Sequence, residues 1–330
     1  ASSLRSTEQK ALAASKSWLK AFNNIAKKHL ITEGGGSIIM YQVENELLTE
    51  NPSTTAFLKE LSNFVRTDGI TVPLFENDWG LAGRFAPNKA GNPAGKYGST
   101  DFYTYDRYPL GFNCGAGRGN LDDVEQTFRN YEPKGPHFIA EGQGGAFTPW
   151  GANFTPEKCA SFTDGNFVRQ WGTVLAGNGV KAYTYYMIFG GTNWGYTGSP
   201  SSGFTSYDYG AGIDEDRTIR KDKFGAQKEI AYYLQANPQY VTSDPVAKPD
   251  IKRVSGNAQI RGYQRVSSEG AAELSATGNG GRTLGFVLNN TNDTSTNKFT
   301  FALDLANTSG VGARFNHDDS DSDLKYSTGW

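Results

Sequence analysis

The chain has 330 residues, 37% apolar and 20% charged, enough for one large domain, or for a large domain plus a smaller one, with a sizeable buried core. Its 32 basic and 34 acidic side chains nearly cancel, which removes the electrostatic case for nucleic acid or a membrane surface as partner and favours a neutral substrate. No run reaches the roughly 20 apolar residues that span a bilayer, and the polar opening Ala1-Ser2-Ser3-Leu4-Arg5-Ser6 does not read as a signal peptide.

From Glu8 to Leu30 the apolar residues Leu12, Trp18, Leu19, Phe22, Ile25 and Ala26 share one helical face. Gly34-Gly35-Gly36 breaks that helix, and Ser37 to Val43 reads as a buried strand. Ser53 is the expected cap of a helix to about Thr67, with Phe57, Leu58, Leu61, Phe64 and Val65 inward, and Thr71 to Phe75 is the next strand. A Gly/Pro/Asn-rich loop then leads to a strand at Asp101 to Tyr105 and a helix at Leu121 to Tyr131. His137 to Ala140, Phe162 to Gly177, Val180 to Phe189 and Asp222 to Gln235 continue as strand, helix, strand and helix.

Strands alternating with helices at this spacing predict parallel βαβ units, in a doubly wound sheet or a closed barrel. No Gly-x-Gly-x-x-Gly follows a strand, which weakens the dinucleotide-binding version of the former. Past Asn237-Pro238 the pattern turns to short β-type runs, Gln259 to Val266, Thr283 to Leu288 and Lys298 to Leu305, ending in an Asp-rich stretch from Phe315 to Trp330 left without structure. The expected domains are therefore 1–236, the part built of βα units, and 237–330, the start of a β-rich accessory domain with a poorly ordered tail.

Two apolar runs end in carboxylates: Ile38-Ile39-Met40-Tyr41-Gln42-Val43-Glu44-Asn45-Glu46 and His137-Phe138-Ile139-Ala140-Glu141-Gly142-Gln143-Gly144-Gly145. Barrel enzymes present catalytic groups at strand C-termini, and two carboxyl groups are the minimum for cleaving a glycosidic bond. Glu46 and Glu141 form the candidate pair, with Asn45 placed to meet a sugar hydroxyl. Glu44 competes with Glu46, because period-two alternation points both to one side. The glycines after Glu141 are read as room for a ligand to approach the backbone. Tyr103, Tyr105, Tyr108, Phe112, Tyr183, Tyr185, Tyr186, Trp194, Tyr196, Tyr207 and Tyr209 follow the strands, as sugar-stacking rings or as packing. The three histidines are scattered and no Gly-x-Ser-x-Gly is present, which disfavours metal-dependent and serine-hydrolase chemistry. Cys114 and Cys159 are compatible with a bridge or with two thiols. The sequons at Asn153, Asn289, Asn292 and Asn307 tilt the reading toward a secretory compartment.

With these motifs together the chain resembles β-galactosidases of glycoside hydrolase family 35, most closely the large fungal type. The matching residues are Gly35 to Glu46, Glu141-Gly142-Gln143-Gly144-Gly145-Ala146-Phe147, Tyr186-Met187-Ile188-Phe189-Gly190-Gly191-Thr192-Asn193-Trp194-Gly195 and Thr205-Ser206-Tyr207-Asp208-Tyr209. The resemblance implies a (β/α)8 TIM barrel of which the fourth to eighth strands are visible, followed by part of an all-β domain. It implies Glu46 as acid/base, Glu141 as nucleophile, galactose contacts from Asn45, Tyr108, Phe112, Tyr186 and Tyr207, and a Cys114–Cys159 disulfide. It implies a secreted, glycosylated monomer acting on a β-galactoside oligosaccharide or polysaccharide, with no cofactor and no metal. The alternative is an inactive fragment or galactoside-binding remnant lacking the first three barrel strands, whose open sheet would expose apolar edges.

Overall fold

The computed structural model describes residues 4–90, 99–111, 114, 121, 123–195, 197–202, 205–246, 251–255, 260–267, 283–289 and 300–303. Helices and strands follow in the order α1 Gln9–Ala26, β1 Tyr41–Asn45, α2 Pro52–Thr67, β2 Leu74–Asp78, β3 Thr104–Arg107, α3 Glu125–Tyr131, β4 Phe138–Gln143, α4 Pro156–Phe162, α5 Gly165–Gly177, β5 Ala182–Tyr186 and α6 Lys221–Ala236. The first five strands form one sheet in the order β1-β2-β3-β4-β5, and β1/β2, β2/β3 and β3/β4 are parallel pairs. A doubly wound sheet reverses its strand order at a switch point; here each strand is added to the same growing edge, the order of a β/α barrel. The five strands are part of an incomplete (β/α) barrel.

Local chemistry sets the element boundaries. The cap of α2 is Asn51 rather than Ser53: its side chain accepts from the Ser53 and Thr54 amides, Thr54 closes a capping box, and Pro52 occupies the first turn, where no N–H is needed. The single helix expected over 162–177 is two, because the Asp164 side chain accepts from the Phe167 amide and starts α5 afresh. The first four strands begin and end later than the apolar runs. β1 runs on to Asn45, β2 to Asp78, β3 to Arg107 and β4 to Gln143. Their last residues stay in the ladder although their side chains are polar.

The chain divides into two compact units: Ala1–Tyr108 with Val124–Gly142 and Ala182–Thr184, and Pro109–Asp123 with Gln143–Lys181 and Tyr185–Trp330. In the first, Phe57, Leu58, Leu61 and Val65 of α2 are buried against Tyr41, Val43, Leu47, Ile70, Val72 and Leu74, each side chain contributing about 1.5–3 kcal/mol of burial. Phe75, Phe102, Phe138 and Ala140, with Met40 and Ala182, make a second apolar layer. On α1 the expected inward face is only partly realised: Ala26 is buried and Leu12 and Leu19 pack on the core, but Trp18, Phe22 and Ile25 are 74%, 53% and 65% exposed. Trp18 and Phe22 line a groove beside β1, which among the described residues pairs with β2.

In the second unit α5 packs on α6, and Cys114 and Cys159 form a disulfide with Cα atoms 5.1 Å apart. Closing that 45-residue separation stabilises by about 4 kcal/mol in the chain-entropy picture. β6 Ser243–Pro245, β8 Ile260–Ser267 and β9 Thr283–Asn289 form an antiparallel sheet, and β7 Ile251–Ser255 pairs with β10 Thr300–Leu303. Arg265, fully buried on β8, donates to the carbonyls of Ala176, Tyr240 and Ser243 and stacks on the Tyr240 ring. The stretch from Phe315 to Trp330 lies outside the described residues.

Candidate active site

Register partners on parallel strands share a face of the sheet, so the pairing shows which side chains meet. β1 and β2 pair Gln42 with Phe75, then Glu44 with Glu76 and Asn45 with Asn77, skipping Val43. β3 and β4 pair Tyr105 with Ile139, then Asp106 with Glu141, skipping Ala140. Each skip is a bulge, and bulges re-aim side chains where a strand approaches a site. Ala140 and Glu141 consequently both face the side of Asp106. Glu44 turns to the side of Glu76, away from Asn45 and Asn77, and the left-handed backbone at Glu46, not the bulge, ends the alternation that made the two rivals. Glu44 instead caps the Asn45 amide at 2.8 Å and pairs with Arg5 at 3.3 Å.

Glu46 follows β1 in a left-handed backbone conformation, φ 49°, which disfavours a side chain bearing a Cβ and is held here by its surroundings. Its amide donates to the Asn77 carbonyl at 2.7 Å. The Arg5 guanidinium donates to the Glu46 and Asn45 carbonyls at 2.8 and 2.9 Å. One oxygen each of Glu46, Asp106 and Glu141 lie within 4.8 Å of one another.

Asn77, fully buried on β2, joins the pieces: its amide donates to Asn45 Oδ1 at 2.9 Å and to Glu141 Oε1 at 3.0 Å. Gln42 donates to the same Asn45 oxygen at 2.9 Å, so Asn45 is oriented by two donors, and among the described residues none accepts from its own amide nitrogen. Tyr108 donates to Glu141 Oε2 at 2.6 Å. Burial, with the charge of Glu46, pushes the Glu141 carboxyl above its ordinary value, while Tyr108 and Asn77 pull it back.

Of the expected residues, Asn45, Glu46, Tyr108 and Glu141 are thus brought together in the first unit. Tyr186 and Tyr207 belong to the second, where their hydroxyl groups bond to each other. Phe112 lies outside the described residues, as do Asn292 and Asn307; Asn153 is exposed and Asn289 ends β9. Tyr103 and Tyr105 are core residues stacked on each other, 2% and 0% exposed. The glycines after Glu141 admit the chain itself and not a ligand: a Cβ at Gly144 would stand 2.4 Å from the Met187 carbonyl oxygen, and one at Gly145 1.9 Å from that of Tyr209.

Sequence reasoning missed Arg5, Asn77 and Asp106. A signal for two of them exists. Phe75-Glu76-Asn77-Asp78 repeats the ending Val43-Glu44-Asn45-Glu46, and Asp106 also closes an apolar strand. For Arg5, in a polar segment far from β1 in sequence, no local signal exists.

Acidic residues converging at the C-terminal ends of parallel barrel strands define a site of the glycoside-hydrolase class. Comparison with known proteins makes this specific. The sequence model of Glycosyl hydrolases family 35 matches residues 1–233, and the chain belongs to that family. It is 36% identical over 245 residues, 69% of this chain and 23% of the relative, to "Beta-galactosidase A" of a Penicillium species. It is 32% identical over 317 residues, 93% of this chain and 29% of the relative, to "Probable beta-galactosidase A" of Neosartorya fischeri. The chain thus spans about a quarter of the length of these curated relatives. Among solved structures, a beta-D-glucuronidase of Dictyoglomus thermophilum aligns with a TM-score of 0.44 at 14% identity, over 68% of this chain and 36% of that one. The fold assignment rests on strand order, not on that partial likeness.

Proposed function

We propose that this chain carries the catalytic carboxyl groups of a retaining exo-β-galactosidase, which removes terminal β-D-galactose from an oligosaccharide or polysaccharide by double displacement. The observation that carries the reading is the proximity of Glu46 and Glu141, with oxygens within 4.8 Å. Retaining enzymes need their two carboxyl groups about 5–5.5 Å apart, whereas inverting enzymes leave roughly 6.5–9.5 Å for a water molecule. Glu141 attacks the anomeric carbon as Glu46 protonates the departing glycosidic oxygen. Glu46 then takes a proton from water, which displaces Glu141 and releases galactose. The bonds from Tyr108 and Asn77 favour the ionised form of Glu141 that attack requires.

Galactose specificity is assigned to Asn45, Tyr108, Phe112, Tyr186 and Tyr207; the names of the fungal relatives support the choice of sugar. The reading includes a monomeric, secreted glycoprotein, with residues 1–236 as the catalytic part and 237–330 as a β-rich accessory region. The change from parallel to antiparallel pairing at β6 supports that division. The test is release of nitrophenol from a nitrophenyl β-galactoside by the 330-residue chain, with Glu141→Gln as control. Turnover that disappears in the control supports the reading. Absence of turnover from a chain that circular dichroism shows to be folded favours the galactoside-binding remnant.

A further inference from the structure

The two roles above use two carboxyl groups, yet the site holds three. Asp106 is 3% exposed. Its Oδ1 accepts from the Gly80 amide at 2.6 Å, which anchors the carboxyl group. Its Oδ2 is buried and, among the described residues, receives no donor from an amide, hydroxyl or cation; the cluster it enters is that of Glu46 and Glu141, each with an oxygen within 4.8 Å. The other polar groups nearby are committed: Asn77 to Asn45 and Glu141, Tyr108 to Glu141, and Arg5 to Glu44 and the carbonyls of Asn45 and Glu46. Among the described residues no cation forms an ion pair with Asp106, and three like charges this close, one of them buried, do not all ionise.

We propose that Asp106 and Glu46 hold one proton between them, making Asp106 the positioning residue that keeps the acid/base proton at Glu46. The inference rests on the acid/base role proposed for Glu46. When Glu46 gives its proton to the leaving oxygen as the C–O bond breaks, the pair is left with two negative charges. That repulsion makes Glu46 a stronger base for the water that cleaves the bond to Glu141, and the water's proton restores the pair. Burial, the contact with Glu46 and the charges of Glu46 and Glu141 push the Asp106 carboxyl up to about 8, opposed by the Gly80 amide; for carboxyl groups this close the value belongs to the pair rather than to either residue, and it agrees with one proton kept by the pair at neutral pH.

The test compares the chain with its Asp106→Asn variant, which keeps an acceptor for Gly80. Infrared difference spectra titrate the carboxyl groups whether or not the chain turns over. One protonated carboxyl band that persists to about pH 8 and is missing from the variant supports the shared proton; identical titrations overturn it. Where nitrophenyl β-galactoside is hydrolysed, the variant's alkaline limb moves to lower pH by about one unit, with activity best retained on a dinitrophenyl galactoside, whose leaving group needs no proton. Superposed pH profiles overturn the inference and leave the galactosidase reading intact. A shared proton in a chain without turnover overturns that reading alone. Thermal unfolding of both proteins at pH 5 shows whether the variant is folded. The stability difference should then shift in favour of the variant as pH rises toward 8, because only the wild type must give up a proton bound more tightly in the folded state.

Discussion

The strands of the sheet are made of opposite materials at their two ends. Toward their N-terminal ends they bring together Phe75, Phe102, Phe138 and Ala140 with Met40 and Ala182, an apolar layer whose rings stand edge to face or tilted at 5.4 to 6.3 Å. At their C-terminal ends the same strands, with the residue following β1, carry Asn45, Glu46, Asn77, Asp106 and Glu141 in one hydrogen-bonded and charged cluster. There Asn77 Oδ1 and Asp106 Oδ2 are buried without a donor among the described residues, each costing about 1–3 kcal/mol. Stability therefore comes from one end and from the helices, and is partly lost at the other, where groups await a substrate.

Glu46→Gln breaks the polar end outright. On substrates that need acid assistance, turnover should fall about 10²- to 10⁴-fold, while a dinitrophenyl galactoside keeps its first step; full activity in steady-state assays would remove Glu46 from its role. Leu58→Ala breaks the opposite side of the comparison. Leu58 is fully buried between α2 and the sheet, so urea unfolding should show a loss of about 2–5 kcal/mol, and the acid and alkaline limbs of activity should keep their positions. Tyr108→Phe is the smallest and most selective change. It removes the bond that pulls Glu141 down, so Glu141 binds its proton more tightly. Because the nucleophile must be ionised, the acid limb should move to higher pH by about one unit, with roughly tenfold lower kcat/KM at low pH and little change on the alkaline side. An unshifted acid limb would show that the Tyr108 bond does not tune Glu141.

These expectations depend on details of unequal legibility. That β1 and β4 exist and end near carboxylates follows from Ile38 to Val43 and Phe138 to Ala140, apolar runs with no other comfortable home than a buried strand. Their true ends were not legible, because Glu44, Asn45, Asp78 and Asp106 look like loop residues until it is known that they remain in the ladder. The Asn51 cap was hidden by Ser53 only two residues on. Trp18, Phe22 and Ile25 obeyed a helical period but stay more than half exposed among the described residues, since periodicity states which residues share a face and not what stands opposite it.

By itself the sequence determined the alternation of helices and strands, the two acidic endings at Glu46 and Glu141, and membership of glycosyl hydrolase family 35, because these rest on residue type and spacing along the chain. Tertiary structure alone decided that the strands add in sequential order, that bulges at Val43 and Ala140 turn Glu44 out and Glu141 in, and that Arg5, Asn77 and Asp106 join the site. The physical reason is that register is a property of neighbouring strands, and the site gathers residues from several of them. Arg5 and Glu46, 41 residues apart, meet across 2.8 Å only once the chain has folded.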